Sequence, residues 1–163
     1  SDPRMPTLMG SYKVPHFDAK GEADAFFAGL RTTYLCTSFY WDNLIHFGMG
    51  PRRDADGRLI FVLPMGERRM PGIAAADIGP CAFGLFARGA DAIGARFGIA
   101  GEHLSGAEMA AELARALGEP VTHYPMPFAD YAKLGIPGAE DLANMFQYYH
   151  DFEAEFRASR PVE

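Results

Sequence analysis

A helix-like segment followed closely by a strand-like segment limits this chain to a mixed α/β fold. Residues 19–29 carry alanine and phenylalanine side chains on one stripe, and the helical pattern ends at Gly29. The next segment, TTYLCTSFYW, is short, β-branched and aromatic, which is typical of a buried strand that runs into a ligand-facing loop. We therefore expect a helix over residues 19–29 that packs on a strand over residues 33–38.

Composition predicts one globular domain. The chain has 163 residues, of which 48% are hydrophobic and 13% aromatic, and this is enough for a real core. Its net charge is −6 and its basic residues are scattered, which argues against nucleic acid as a partner. No apolar run approaches the roughly 18 residues of a membrane span. We therefore expect a cytoplasmic protein with neither nucleic acid nor membrane as a partner.

The cysteines and histidines do not indicate a metal site or a disulfide. Cys36 and Cys81 each lie in an apolar stretch, so buried free thiols are expected. The five histidines form no HxxxH pair, and the two cysteines form no CxxC pair. The sequence thus predicts no metal.

The remaining segments alternate between strand-like and helix-like patterns. A helical turn is expected to begin at residues 43–45, and a turn at residues 56–57 to precede the strand RLIFVLP. ADIGPCAFGLFARG has helical spacing, with Asp77 as its expected N-cap. EPVTHYPMP predicts a short strand, and FADYAKLG a short helix that ends at Gly135.

A capping box marks the clearest helix. Ser105 is followed three residues later by Glu108, which predicts a helix over residues 106–117 that closes at Gly118. The glycines before this helix match neither GxGxxG nor GxxxxGK[ST], so they do not indicate a phosphate-binding loop. The last predicted helix covers residues 139–157, and its stripe of Leu142, Met145, Phe146, Tyr149 and Phe156 is expected to face the core.

His16 and Lys20 stand four positions apart in VPHFDAKGEADAFF. Residues with this spacing share one helix face, so the two side chains are placed to address one ligand. From spacing alone, a first turn that carries two solvated side chains is the more common arrangement.

Five segments, taken in their order and with their separations along the chain, resemble the carboxy-terminal half of a protein of the NmrA-like family of atypical short-chain dehydrogenases/reductases. They are YKVPHFDAKGEADAFF, TSFYWDNLI, AAADIGP, LSGAEMAAELARALGEPVTHYP and YAKLGIPGAEDLANMF. The resemblance covers nearly the whole chain. It implies a partial NAD(P)-binding Rossmann-like α/β fold without the N-terminal dinucleotide-binding half, and a smaller, mostly helical lobe on the substrate side.

The resemblance gives the pair of polar residues a role. Short-chain dehydrogenases place Tyr-x-x-x-Lys at the corresponding helix, and His16 and Lys20 hold those two positions here. It implies that Lys20 binds the nicotinamide ribose hydroxyls. His16 becomes the candidate catalytic residue, because an imidazole is able to act as a general acid near neutral pH.

The segment YLCTSFYWDN matches the family stretch beside the nicotinamide. The resemblance implies that Phe39, Tyr40 and Asn43 contact the cofactor and that Trp41 lines the substrate pocket, although core packing after a strand explains these aromatics equally well. Cys36 and Ser38 stand where the family often has an arginine and a proline.

The proline-rich opening, SDPRMPTLMGSYKVP, predicts a fragment: the C-terminal portion, residues 1–163, of an NmrA-like domain. NADP or NAD is the expected cofactor, bound only with the N-terminal half. The expected function is that of an NAD(P)H redox sensor that regulates a protein partner. The alternatives are an NAD(P)H-dependent reductase of a small carbonyl or quinone, and a structural domain without a ligand.

Overall fold

The computed structural model describes residues 7–162, and the first six residues of the proline-rich opening lie outside that range. The helices are α1 (Pro15–Ala23), α2 (Asn43–His46), α3 (Ala75–Arg88), α4 (Gly106–Leu117), α5 (Phe128–Tyr131), α6 (Ala139–Asp151) and α7 (Glu153–Ala158). The strands are β1 (Tyr34–Cys36), β2 (Phe39–Tyr40), β3 (Arg52–Arg53), β4 (Leu59–Val62), β5 (Arg69–Ile73), β6 (Arg96–Gly98), β7 (Glu102–Ser105) and β8 (Val121–Tyr124). Single 3-10 turns cover Asp24–Phe27 and Gly89–Ala92.

The described strands form three small sheets. β1 and β6 are parallel, with Tyr34 opposite Arg96. β5 lies between β2, which is parallel to it, and β7, which is antiparallel. β4 likewise lies between antiparallel β3 and parallel β8. The α/β prediction is confirmed, but the region expected to be a mostly helical lobe contains two three-stranded sheets and is itself mixed α/β.

The first helix begins earlier than the sequence pattern predicts. α1 starts at Pro15, a residue favoured at the first helical position because its φ is already helical and it has no N–H to satisfy. The helix continues as a 3-10 turn to Phe27, and Gly29 then adopts a φ of 81°, which ends the segment. The hydroxyl of Tyr34 donates to the carbonyl of Asp24 (3.4 Å), which joins this segment to β1.

The capping predictions have different outcomes at two helices. The capping box of Ser105 and Glu108 is present at α4, and the helix ends at Gly118 as expected. At α3 the prediction was wrong, because the N-cap residue is Ala74 and Asp77 lies in the first turn. Asp42 instead accepts a hydrogen bond from the amide of Ala75 (2.7 Å). A distant residue thus satisfies a free N–H of this helix, which no local pattern indicates.

The predicted helix over residues 139–157 is divided at Phe152, whose φ of −116° and ψ of 34° separate α6 from α7. The predicted apolar stripe is in the core: Met145, Phe146, Tyr149 and Phe156 are buried, and Leu142 packs against them. The largest fully buried side chains elsewhere are those of Phe61, Met65 and Met70.

Both cysteines are free thiols, as predicted. The expectation that they are buried was wrong, since Cys36 and Cys81 are each partly exposed. Cys81 lies on α3, none of whose residues is buried, so the apolar stretch around it does not enclose the thiol.

Candidate functional site

A cleft of about 1070 Å³ opens between α1, the β1–β2 segment, α6 and the residues after α7. Five residues proposed from the sequence line it: His16, Lys20, Phe39, Tyr40 and Asn43. They come from two separate segments of the chain, α1 and the stretch from β2 to α2. The fold therefore brings together side chains that the sequence associated with one ligand.

Trp41 does not line this cleft. Its ring packs over Gly72 of β5, so closely that a Cβ at Gly72 would lie 2.0 Å from the ring. The indole ring of Trp41 also makes an edge contact with the ring of Phe39, with 6.0 Å between the ring centroids. The structure thus places Trp41 in packing around β5, whereas the sequence resemblance suggested the substrate pocket.

Lys20 is exposed and lies one helical turn from His16. No hydrogen bond or ion pair to its ammonium occurs within residues 7–162. An ammonium with three donors and no acceptor suits the hydroxyl oxygens of a sugar or an anionic group.

His16 is held by a carboxylate. Its Nδ1 lies 2.8 Å from Oδ2 of Asp141, and both side chains are about one-third exposed, at 31% and 33%. Asp141 lies in the first turn of α6, at the positive end of that helix. Its second oxygen, Oδ1, is buried without a partner in the described chain.

Arg160 adds a guanidinium to the cleft lining. Its Nε donates to the carbonyl of Thr37 (2.9 Å), and its Cζ lies 5.3 Å from the centroid of Phe156. Sequence reasoning missed this residue because Thr37 and Arg160 are 123 positions apart and form no local motif.

Hydroxyl groups complete the polar lining. The hydroxyls of Thr37 and Tyr40 lie 3.1 Å apart, and Tyr148 and Tyr149 also face the cleft. Burial raises the pKa of both Tyr148 and Tyr149, so these phenols stay neutral. Tyr148, which is only partly buried, is available to exchange hydrogen bonds with a ligand without adding charge, whereas Tyr149 is buried in the core.

The cleft combines cationic donors, neutral hydroxyls and aromatic faces. This set fits a polar ligand that has both hydroxyls and a flat ring. Within residues 7–162 there is no group of three histidine, cysteine or acidic residues that could hold a metal ion. None of the helices in that range has the length and apolar content needed to cross a bilayer.

Several solved structures have a similar fold, and two of those described next are named with a nicotinamide nucleotide. NmrA, a negative transcriptional regulator solved in complex with NADP, matches at a TM-score of 0.65 and 23% identity, over 87% of this chain and 47% of that one. An NADPH-dependent quinone oxidoreductase from Escherichia coli matches at a TM-score of 0.62 and 22% identity, over 79% of this chain and 48% of that one. A nucleoside-diphosphate-sugar epimerase from Staphylococcus aureus matches at a TM-score of 0.63 and 21% identity, over 84% of this chain and 48% of that one.

The mixed α/β fold thus resembles that of Rossmann-like proteins. This chain spans about half the length of the solved structures that it matches. A sequence profile of the NmrA-like family matches residues 7–162. The chain belongs to the NmrA-like family.

Proposed function

We propose that this chain forms the nicotinamide side of an NAD(P)H site in a redox-sensing regulatory protein. The observation that carries the proposal is the position of Lys20 and His16, one turn apart on the cleft wall, together with Tyr40 and Asn43. The Lys20 ammonium, which makes no hydrogen bond or ion pair within residues 7–162, suits the two ribose hydroxyls, and the aromatic lining suits the nicotinamide ring. NmrA, solved with NADP, supports both the ligand and the regulatory role.

The pyrophosphate end of the cofactor is proposed to bind to a dinucleotide-binding half that shares this cleft. Two positive observations support a shared site. β1 and β6 form a two-stranded parallel sheet within the described chain, so both of its outer edges are open to pairing with another strand. Phe83 and Phe86 of α3 are 73% and 83% exposed, which is typical of a surface that packs on other polypeptide.

A reductase of a small carbonyl or quinone is the second candidate, and one observation favours it. The Nε2 atom of His16 has no hydrogen-bond partner in the described residues, and the side chain lines the cleft. A bound reduced nicotinamide would supply hydride to the substrate carbon, and the protonated His16 would then deliver the proton to the oxygen. The likeness to an NADPH-dependent quinone oxidoreductase supports this chemistry.

Substitution of Lys20 tests whether the cleft binds the cofactor. In a form of the protein that carries the dinucleotide-binding half, Lys20→Ala should weaken NADPH binding by about tenfold or more, because it removes a charged hydrogen-bond donor. Isothermal titration calorimetry measures the change. Lys133→Ala is the matched control, since Lys133 is exposed and lies outside the cleft. Equal affinities for both variants would contradict the proposed site.

A second titration tests whether the site is shared. Residues 1–163 alone should bind NADPH only weakly, because the contact of one lysine does not offset the cost of association. Micromolar affinity for this chain alone would show that the whole cofactor site lies within it.

His16 separates the two candidate functions. His16→Phe keeps a flat ring but removes both ring nitrogens. In a sensor it should leave NADPH affinity nearly unchanged, whereas in a reductase it should lower kcat by about 10²–10⁴. Arg115→Ala on α4 is the control. Steady NADPH oxidation with a quinone that is lost in His16→Phe and kept in Arg115→Ala would establish the reductase.

A further inference from the structure

The pair formed by His16 and Asp141 joins the start of one helix to the start of another. His16 is the second residue of α1, and Asp141 is the third residue of α6. A protonated imidazole at the positive end of α1 is electrostatically unfavourable, and the carboxylate opposite it offsets this effect. The contact is therefore more than an incidental surface ion pair.

The contact between Asp141 and His16 bears on which ring nitrogen carries the proton. One carboxylate oxygen is buried without a partner in the described chain, and the other lies 2.8 Å from Nδ1 of His16. Burying part of an ionised carboxylate is costly unless a donor compensates it. A neutral His16 is able to donate to Oδ2 only when its proton is on Nδ1, since a bare Nδ1 would set a lone pair against the carboxylate.

We propose that Asp141 is a positioning residue that holds His16 in the Nδ1–H form and so makes Nε2 the atom that exchanges a proton or hydrogen bond with a ligand in the cleft. The proposal deepens the proposed function and, for its proton-transfer consequence, rests on the reductase candidate. When the ring gives its Nε2 proton to a substrate oxygen, the neutral ring that remains is the form that Asp141 stabilises. The ring then regains a proton from solvent at the same atom.

Other contacts fix the relative position of the two helices. The side-chain amide of Asn144, one turn along α6 from Asp141, donates to the carbonyl of Lys13 (3.0 Å). The ring of Phe17 contacts those of Tyr148 and Tyr149, with centroids 5.8 and 5.9 Å apart. These contacts do not involve the carboxylate, so a variant at Asp141 should keep the two helices in place.

The test uses ¹⁵N NMR of the histidine rings in this chain, at a pH where the rings are neutral, with His16→Phe used to assign the signal. The wild-type ring of His16 should show the Nδ1–H form. Asp141→Ala should shift the ring toward the Nε2–H form that imidazole favours in water, a change that a merely structural contact would not produce. Glu140→Gln is the matched control, because it removes a neighbouring exposed charge from the same helix turn.

The wild-type spectrum alone is able to overturn the proposal, whether or not the variant folds. An Nε2–H ring in the wild type would show that Asp141 does not determine the tautomer of His16. The same tautomer in Asp141→Ala as in the wild type would show this as well. NADPH oxidation with a quinone is measured separately in the form with the dinucleotide-binding half. There Asp141→Ala should lower kcat by about tenfold or more. A tautomer change without any NADPH oxidation in the wild type would contradict the reductase and leave the role of Asp141 supported.

Discussion

Gly72→Ala tests the position of Trp41. An ideal Cβ at residue 72 would lie 2.0, 2.1 and 2.4 Å from three carbons of the indole ring, whereas ordinary contacts begin near 3.4 Å. The ring or strand β5 must therefore move by more than 1 Å, the difference between these distances. Overpacking of this kind costs about 1–3 kcal/mol, which for a chain of this size lowers Tm by roughly 2–12 °C.

The assay follows from the sequence. Trp41 is the only tryptophan, so intrinsic fluorescence reports on this ring alone. We expect Gly72→Ala to lower the midpoint of thermal unfolding and to shift the emission of the folded state. The paired residue in β2 is Phe39, which lines the cleft, so the same strain should reach the cleft wall.

Gly84→Ala is the matched control. It makes the same chemical change inside α3, where a Cβ would meet nothing within 4 Å. Alanine is the better helix former, so this variant should be neutral or more stable by about 0.5–1 kcal/mol. Equal stability of Gly72→Ala and the wild type, with unchanged emission, would refute the packing of Trp41 on Gly72.

Two further predictions concern the core and the response to acid. Phe146→Ala should lower the free energy of unfolding by about 3–5 kcal/mol in a urea titration, because Phe146 is fully buried; the exposed Phe86→Ala should change it by less than about 0.5 kcal/mol. The backbone amide of Ser105 and the guanidinium of Arg69 lower the pKa of Glu108. A carboxyl with a lower pKa in the folded state stabilises the protein above its unfolded pKa, and this stabilisation is lost as the pH falls through the folded value. Glu108→Gln should therefore lower Tm at pH 7 and have little effect at pH 3; an equal loss at both values would contradict the role of the charge.

Local patterns in the sequence predicted the elements whose causes are local. The capping box at Ser105 and the helical spacing of His16 and Lys20 depend on residues within one turn, and the structure contains both. The division of the last helix at Phe152 was missed, since the apolar stripe continues through it.

Features that depend on distant contacts could not be predicted in this way. Asp141 meets His16 across 125 positions, and Asp42 satisfies an amide of α3 across 33. For Trp41, the sequence showed an aromatic residue after a strand but not which neighbour its ring would meet. That depended on Gly72, which makes room for the ring only once β2 and β5 are paired.

Two of the three parallel strand pairs in the described chain have a consequence for the order in which the chain folds. Tyr34 pairs with Arg96 in one, and Leu59 pairs with Val121 in the other, so each pair closes a long loop. The entropy of loop closure must be overcome before such pairs become stable, and this slows folding relative to local helices. α4, with its own cap at each end, is able to form early, while β1 and β4 wait with unpaired edges until β6 and β8 have been synthesised. During translation those edges are open to pairing with other chains, and a chaperone that shielded them would protect the nascent protein.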